Sequence, residues 1–273
     1  MKTTLATHVD EWMIPHIQKK IPVEYSRRFE TLDFLKMSRD VTLVLGFEYC
    51  EDLFMLARTM DLLRLAAKSG RLSKVIFLSS YTVYSPKSSP YNESDPVYPC
   101  NYAGVRAAFV ENVLRYLYSS SEISVTVLRM FNPYGPYMSS PYLVGSVLEA
   151  LASKKKLRIG DLQKSRDFLY VADLVSLISL VHKEVSEGFH VFNAGSGERT
   201  TIGELIEQSR RVTGEDCEII FDAEKIRPEC DYDFVVADIT RAKQQLGWEP
   251  SIGLLEGLSL TYQWVLGRQR PGV

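Results

Sequence analysis

Val75-Ile76-Phe77-Leu78-Ser79-Ser80-Tyr81-Thr82-Val83-Tyr84 is followed, after a polar stretch, by Asn101-Tyr102-Ala103-Gly104-Val105-Arg106. The leading apolar run reads as a buried strand, so Ser79 and Ser80 fall at its C-terminal end. The second segment opens a helix. Tyr102 and Arg106 are four apart, which puts both side chains on one face of it. A hydroxyl at a strand tip, facing a tyrosine and a cation on a nearby helix, suits proton transfer. Taken alone, the same residues fit more simply a serine that caps a loop beside two ordinary surface side chains. The flanking pattern shifts the weight.

Working outward, residues 41–45 (Val-Thr-Leu-Val-Leu) read as another buried strand. Asp52 is placed to cap a helix whose apolar positions Leu53, Leu56, Met60, Leu63 and Ala67 recur at helical spacing, and Gly70 ends it. The Tyr102 helix is expected to bury Val105, Phe109, Val113 and Leu117. Residues 123–128 form the next strand. Continuous apolar strands alternating with helices predict a parallel sheet covered on both faces, with ligands at the strands' C-terminal ends. Ser80 and Asn132 both fall at such ends.

Upstream, residues 3–7 and 21–25 are expected as short strands around a helix over 10–20, broken or kinked near Pro15. Downstream come helices over 143–152 and 173–181, a strand at 190–193, and a capping box of Thr200 or Thr201 with Glu204. A short strand at 218–221 and helices at 240–246 and 255–265 complete the chain. The expected organisation is a Rossmann-like α/β domain over 1–135 plus about 170–200, and a smaller α/β lobe over 136–169 and 201–273.

The chain has 273 residues, 45% apolar and 24% charged, which supports a core without staples. A net charge of -2, with basic residues dispersed, gives no electrostatic reason to expect nucleic acid or an anionic membrane as partner. Cys50, Cys100, Cys217 and Cys230 form no metal-ligand spacing and read as free thiols in a reducing compartment. No run approaches the roughly 20 apolar residues of a membrane span, and the first residues are not those of a secretory signal, so the cytoplasm is expected.

The succession of motifs resembles the extended short-chain dehydrogenase/reductase family, specifically its NAD-dependent sugar-nucleotide epimerases and dehydratases. The matching segments are S-S-Y-T-V-Y, N-Y-A-G-V-R, L-R-M-F-N-P-Y-G-P, S-R-D-F-L-Y-V-A-D-L, F-N-A-G-S-G-E-R-T-T-I and L-G-W-E-P. The resemblance implies a doubly wound parallel sheet, a nucleotide-sugar ligand, an NAD(P) cofactor and a homodimer built on the helices at 52–69 and 102–118, with Leu114, Leu117 and Tyr118 available to that face. It implies Ser80 as the hydroxyl bonded to the reacting sugar oxygen, and Tyr102 as acid/base with Arg106 beside it. Thr82 and Asn132 would contact substrate, and Arg166 and Arg227 would pair with the diphosphate, which suits arginine's planar donor fork.

Three departures stand out. The family opens with strand, G-x-x-G-x-x-G, helix, where glycines let backbone approach the cofactor pyrophosphate. Here residues 1–45 contain no glycine, and side chains at Ala6, Thr7 and His8 would obstruct that approach. The fold is therefore expected to be truncated in its N-terminal half, with the NAD(P) site altered or absent. The family's helix lysine is Arg106, whose forked head does not reproduce an ammonium's geometry. The family's dehydratases carry an acidic pair after the strand-end hydroxyl, where Tyr81 and Thr82 stand, so 4,6-dehydration is disfavoured. A nucleotide-sugar-modifying enzyme and a non-catalytic binding homologue both remain open at this point.

Overall fold

The computed structural model describes residues 3–26, 40–46, 53–138, 142–185, 187–225 and 232–269. In chain order, β1 (Thr3–Thr7), α1 (Ile14–Gln18), β2 (Glu24–Ser26), β3 (Val41–Leu45), α2 (Leu53–Lys68), β4 (Leu72–Ser80), α3 (Tyr102–Ser120) and β5 (Ser124–Met130) build the first part. There follow β6 (Pro133–Tyr134), α4 (Leu143–Ser153), β7 (Leu157–Ile159), β8 (Ser165–Arg166), β9 (Leu169–Tyr170), α5 (Val171–Glu184) and β10 (Phe189–Ala194). The chain closes with β11 (Thr200–Thr201), α6 (Ile202–Thr213), β12 (Ile219–Phe221), α7 (Thr240–Leu246) and α8 (Leu254–Gln269).

Six strands form one sheet in the order β10-β5-β4-β3-β1-β2, every neighbour parallel. All five residues of β3 and all seven of β5 are buried, which is why those segments read as unbroken apolar runs. One core cluster joins the N-terminal turn, α4, α5, α6 and α8 on one face. The other packs α2 and α3 against the opposite face. Three two-stranded pairs, β11-β8, β12-β7 and β6-β9, stand apart from the main sheet.

Several expectations needed correction. Pro15 lies in the first turn of α1, where no intrahelical N–H bond is forfeited, so it starts the helix rather than breaking it. A 3-10 turn over Glu11–Met13 precedes it. The second strand is shifted to Glu24–Ser26. On α3 the buried face is Gly104, Ala107, Val110, Glu111, Leu114 and Leu117. Val105 and Phe109 are exposed, at 43% and 37%. The apolar stripe read from the sequence is therefore split: its first two members face solvent, while Val113 is half-buried against the core and Leu117 is buried. Leu114 and Leu117 are core, leaving Tyr118 alone of that trio on the surface. Cys217 is a free buried thiol, but Cys100 is disulfide-bonded, against the expectation of free thiols throughout. The expected Asp52 cap lies outside the described residues. No described helix is long and apolar enough to cross a membrane.

The capping box was placed correctly. The Thr201 hydroxyl accepts from Glu204 N at 3.1 Å and the Glu204 carboxylate accepts from Thr201 N at 2.7 Å. Asp173, in the first turn of α5, accepts from Ser251 N, Ser251 Oγ and Ile252 N at 2.8–3.0 Å, and Trp248 Nε1 donates to Ser176 Oγ at 2.8 Å. The V-x-D and L-G-W-E-P segments thus lock the C-terminal stretch onto α5.

Candidate active site

The strand end of β4 is held from beneath. Ser79 is buried and donates to Glu111 Oε1 of α3 at 2.7 Å. Arg129 of β5 grips the same carboxylate with two bonds, Nη2 to Oε2 at 2.7 Å and Nε to Oε1 at 3.0 Å. Its guanidinium also lies 4.7 Å from the Tyr84 ring centre. Burial opposes the Arg129 charge, but Glu111 more than offsets it and holds the guanidinium above its ordinary pKa. Three elements are therefore pinned together directly below the strand ends.

Ser80 ends β4 and caps the following 3-10 turn, Tyr81–Val83. Its Oγ accepts from Thr82 N at 3.2 Å and from Thr82 Oγ1 at 2.9 Å. With those bonds accepted, Ser80 keeps its own proton for a ligand. The first turn of α3 presses on this corner. A Cβ at Gly104 would stand 2.1 Å from the Thr82 carbonyl oxygen, so only glycine permits the approach. Asn101 caps the helix through its Oδ1, which accepts from Gly104 N at 2.8 Å. Tyr102 projects from that turn and is 52% exposed, with the Arg106 guanidinium 5.2 Å from its ring centre. The two share a helix face, as their spacing predicts.

Asn132 lies just past β5 with a φ of 31°, a left-handed conformation that asparagine tolerates. Its Nδ2 donates to the Asp167 carbonyl at 2.9 Å. Ser79, Ser80, Asn132 and Pro133 line a cavity of about 190 Å³ at the sheet's C-terminal edge. The facing wall comes from the N-terminal turn, through Asp10 and Trp12. Tyr102, Arg106, Thr82 and Arg166 are not among its lining residues. Arg166 Nη1 donates to two carbonyls, Ser165 at 2.8 Å and Tyr232 at 2.7 Å. Arg227 lies outside the described residues.

Asp10 is the ionisable carboxyl among the described lining residues that sequence reasoning did not name as part of a site. Its Oδ2 accepts from Trp12 Nε1 at 3.2 Å and from the Tyr142 hydroxyl. Burial raises its carboxyl above the ordinary range, while those bonds pull the other way. Tyr142 is 132 positions away in the chain, so no local pattern could link them. The preceding turn has His8 at a φ of 54°, a conformation that favours glycine, although the side chain is buried. The end of β3 closes over it: a Cβ at Gly46 would be 2.1 Å from the His8 carbonyl oxygen.

Asp167, within the R-D-F segment, is a scaffold residue. Its carboxylate accepts Ser196 N and Oγ at 2.6 and 2.7 Å, Gly197 N at 2.9 Å and Ala237 N at 3.0 Å. Complete burial pushes its pKa up to about 6 against the pull of those donors. The described residues contain no group of three or more acidic, histidine or cysteine side chains able to hold a metal.

Residues 54–261 match the family model described as GDP-mannose 4,6 dehydratase. The chain belongs to that family, within the extended short-chain dehydrogenase/reductases that include the NAD-dependent sugar-nucleotide epimerases and dehydratases. It is 30% identical over 215 residues to UDP-glucose 4-epimerase of Bacillus subtilis, covering 71% of this chain and 62% of that one. It is 27% identical over 213 residues to UDP-glucuronate 4-epimerase of Thermodesulfobacterium geofontis, covering 76% and 63%. The chain thus spans less than two thirds of the length of these relatives. The fold matches MoeE5, solved with UDP-glucose and NAD, at a TM-score of 0.88 and 20% identity, over 98% of this chain and 100% of that one. The Rossmann-like sheet expected from the sequence is therefore the fold of this family.

Proposed function

We propose that this family member binds a nucleoside-diphosphate sugar at the C-terminal edge of the sheet and modifies it with an altered or absent NAD(P) site. The observation that carries the reading is the single cavity that joins Ser80 and Asn132 with Asp10 and Trp12. Ser80 supplies a donor for a sugar oxygen. Tyr102, with Arg106 against its ring, is the acid/base candidate beside that corner, and Thr82 holds Ser80 in place. Arg166 and Arg227 are the candidates for the diphosphate.

The first turn does not fit a pyrophosphate laid against bare backbone. The acidic side chain of Asp10 stands on that turn, and a carboxylate repels an incoming phosphate. Val9, Trp12 and Met13 are packed into the core there, and α1 has only five residues. These features support the reading of an altered or absent dinucleotide site. No chemical step is therefore derived through the nicotinamide.

The exposure of Tyr102, outside the cavity lining, favours a second reading: a sugar-nucleotide-binding homologue that senses or regulates without turning over its ligand. Calorimetric titration separates these readings, using NAD+, NADPH and UDP-, GDP-, dTDP- and CDP-sugars after a check for co-purified nucleotide. Sugar-nucleotide binding without dinucleotide binding is the expected result. Tight NAD+ or NADPH binding would overturn the altered-site reading. Loss of product in Tyr102→Phe, with ligand binding kept, would mark an enzyme; no product from the unaltered protein would mark a sensor.

A homodimer through α2 and α3 belongs to the same proposal. Leu65, Val105, Phe109 and Tyr116 expose large apolar side chains on these helices. A monomer mass in light scattering at micromolar concentration would count against it.

A further inference from the structure

We infer that Asp10 makes the cavity selective for a neutral sugar ring and excludes a sugar that carries a carboxylate. The inference rests on the sugar-nucleotide reading and adds the class of sugar. Among the described residues, both donors to the Asp10 carboxylate converge on Oδ2, which leaves Oδ1 for a ligand. Asn132 uses its Nδ2 on the Asp167 carbonyl, which leaves its Oδ1 as a second acceptor. Ser80 accepts both bonds from Thr82 and has a proton to give.

These acceptors and donors at a cavity wall match the hydroxyls of a sugar ring, each of which both donates and accepts. The remaining lining is largely apolar and aromatic, through Trp12, Tyr81, Tyr142 and Phe168, and suits the C–H face of such a ring. At about 190 Å³ the cavity is below the roughly 300–1,000 Å³ of pockets that take drug-sized ligands, so one ring fits better than a dinucleotide.

Charge then decides which ring. Among the described residues, the lining includes no lysine, arginine or histidine, and Asp10 is its one ionisable carboxyl. A ligand carboxylate in so small a space meets Asp10 at short range without a compensating cation among the described lining residues, and like charges at such distance repel strongly when water is displaced. A hydroxymethyl group at the same place meets a hydrogen-bond acceptor instead. Glu11 adds further negative charge beside Asp10. A neutral hexose is the favoured occupant and a hexuronic acid the disfavoured one.

The test is calorimetry of the full chain with three matched pairs: UDP-glucose and UDP-glucuronate, dTDP-glucose and dTDP-glucuronate, GDP-mannose and GDP-mannuronate. For the base that binds, the hexose should bind at least about tenfold tighter than its uronate. In Asp10→Asn that ratio should fall to within about threefold, chiefly through tighter uronate binding. Equal affinities in the unaltered protein, or an unchanged ratio in a folded Asp10→Asn, would overturn the inference and leave the sugar-nucleotide reading intact. Binding of none of the six would overturn the sugar-nucleotide reading itself. If Asp10→Asn fails to fold, the matching uronamide, neutral and nearly isosteric, takes its place as a ligand for the unaltered protein. It should bind like the hexose; affinity as weak as that of the uronate would refute a charge-based exclusion.

Discussion

Replacing Arg129 with methionine should cost about 3–5 kcal/mol of folding stability, because it leaves the Glu111 carboxylate buried without its counter-charge. The two side chains are 3% and 7% exposed and are joined by two hydrogen bonds, so solvent can neither screen the pair nor replace the missing partner. Ser79 would remain the only described side-chain donor to that carboxylate. At about 2–4 °C per kcal/mol for a domain of this size, the loss corresponds to roughly 6–20 °C in Tm. Urea denaturation and thermal melts of Arg129→Met, Glu111→Leu and the double variant form the assay. The double variant should be more stable than Arg129→Met alone, since it removes the uncompensated charge as well as the attraction. Strict additivity of the two single losses would refute the reasoning. So would a loss below about 1 kcal/mol for Arg129→Met, which would mean that the pair is solvated after all.

Three other perturbations test the remaining supports. Gly104→Ala should destabilise by about 1–3 kcal/mol in urea titration, because its methyl would collide with the Thr82 carbonyl oxygen and push the first turn of α3 off the Ser80 corner. Asp167→Asn should cost about 2–3 kcal/mol in the same assay, since an amide nitrogen replaces an acceptor among four inward-pointing donors. Thr201→Ala should lose about 1 kcal/mol at pH 7 through its helix cap. Donation from the Thr201 backbone N–H, and then from its hydroxyl at 2.9 Å, holds the Glu204 carboxyl below its ordinary value. Alanine keeps the first bond and removes the second, whose contribution is complete above the unfolded pKa and is lost as pH falls through the folded one. The stability gap between the unaltered protein and Thr201→Ala, measured at pH 7 and pH 3, should therefore narrow at pH 3.

The parallel strands were legible because both faces of each are buried, which leaves an uninterrupted apolar run in the chain. The Thr201–Glu204 cap and the shared face of Tyr102 and Arg106 were legible because they depend on neighbours within four positions. The orientation of α3 was not. Val105 and Phe109 recur at helical spacing, yet they face outward, and the inward face carries Gly104, whose lack of a side chain lets the first turn of α3 meet the Thr82 carbonyl of the 3-10 turn.

For the candidate site, the chain alone placed Ser80 and Asn132 at strand ends, since a strand's termini follow from its own apolar run. It also exposed the missing glycines before Gly46. Tertiary structure decided what those missing glycines became. Asp10 meets Tyr142 across 132 positions, Glu111 meets Arg129 behind Ser79, and Arg166 turns to the Tyr232 carbonyl. Each of these is a buried or half-buried polar contact between separate parts of the chain, set by which faces the fold brings together. Local propensity and periodicity act over one or two turns of chain, and so they specify the elements; the pairing of charges and hydroxyls across the cavity is specified only once those elements have packed.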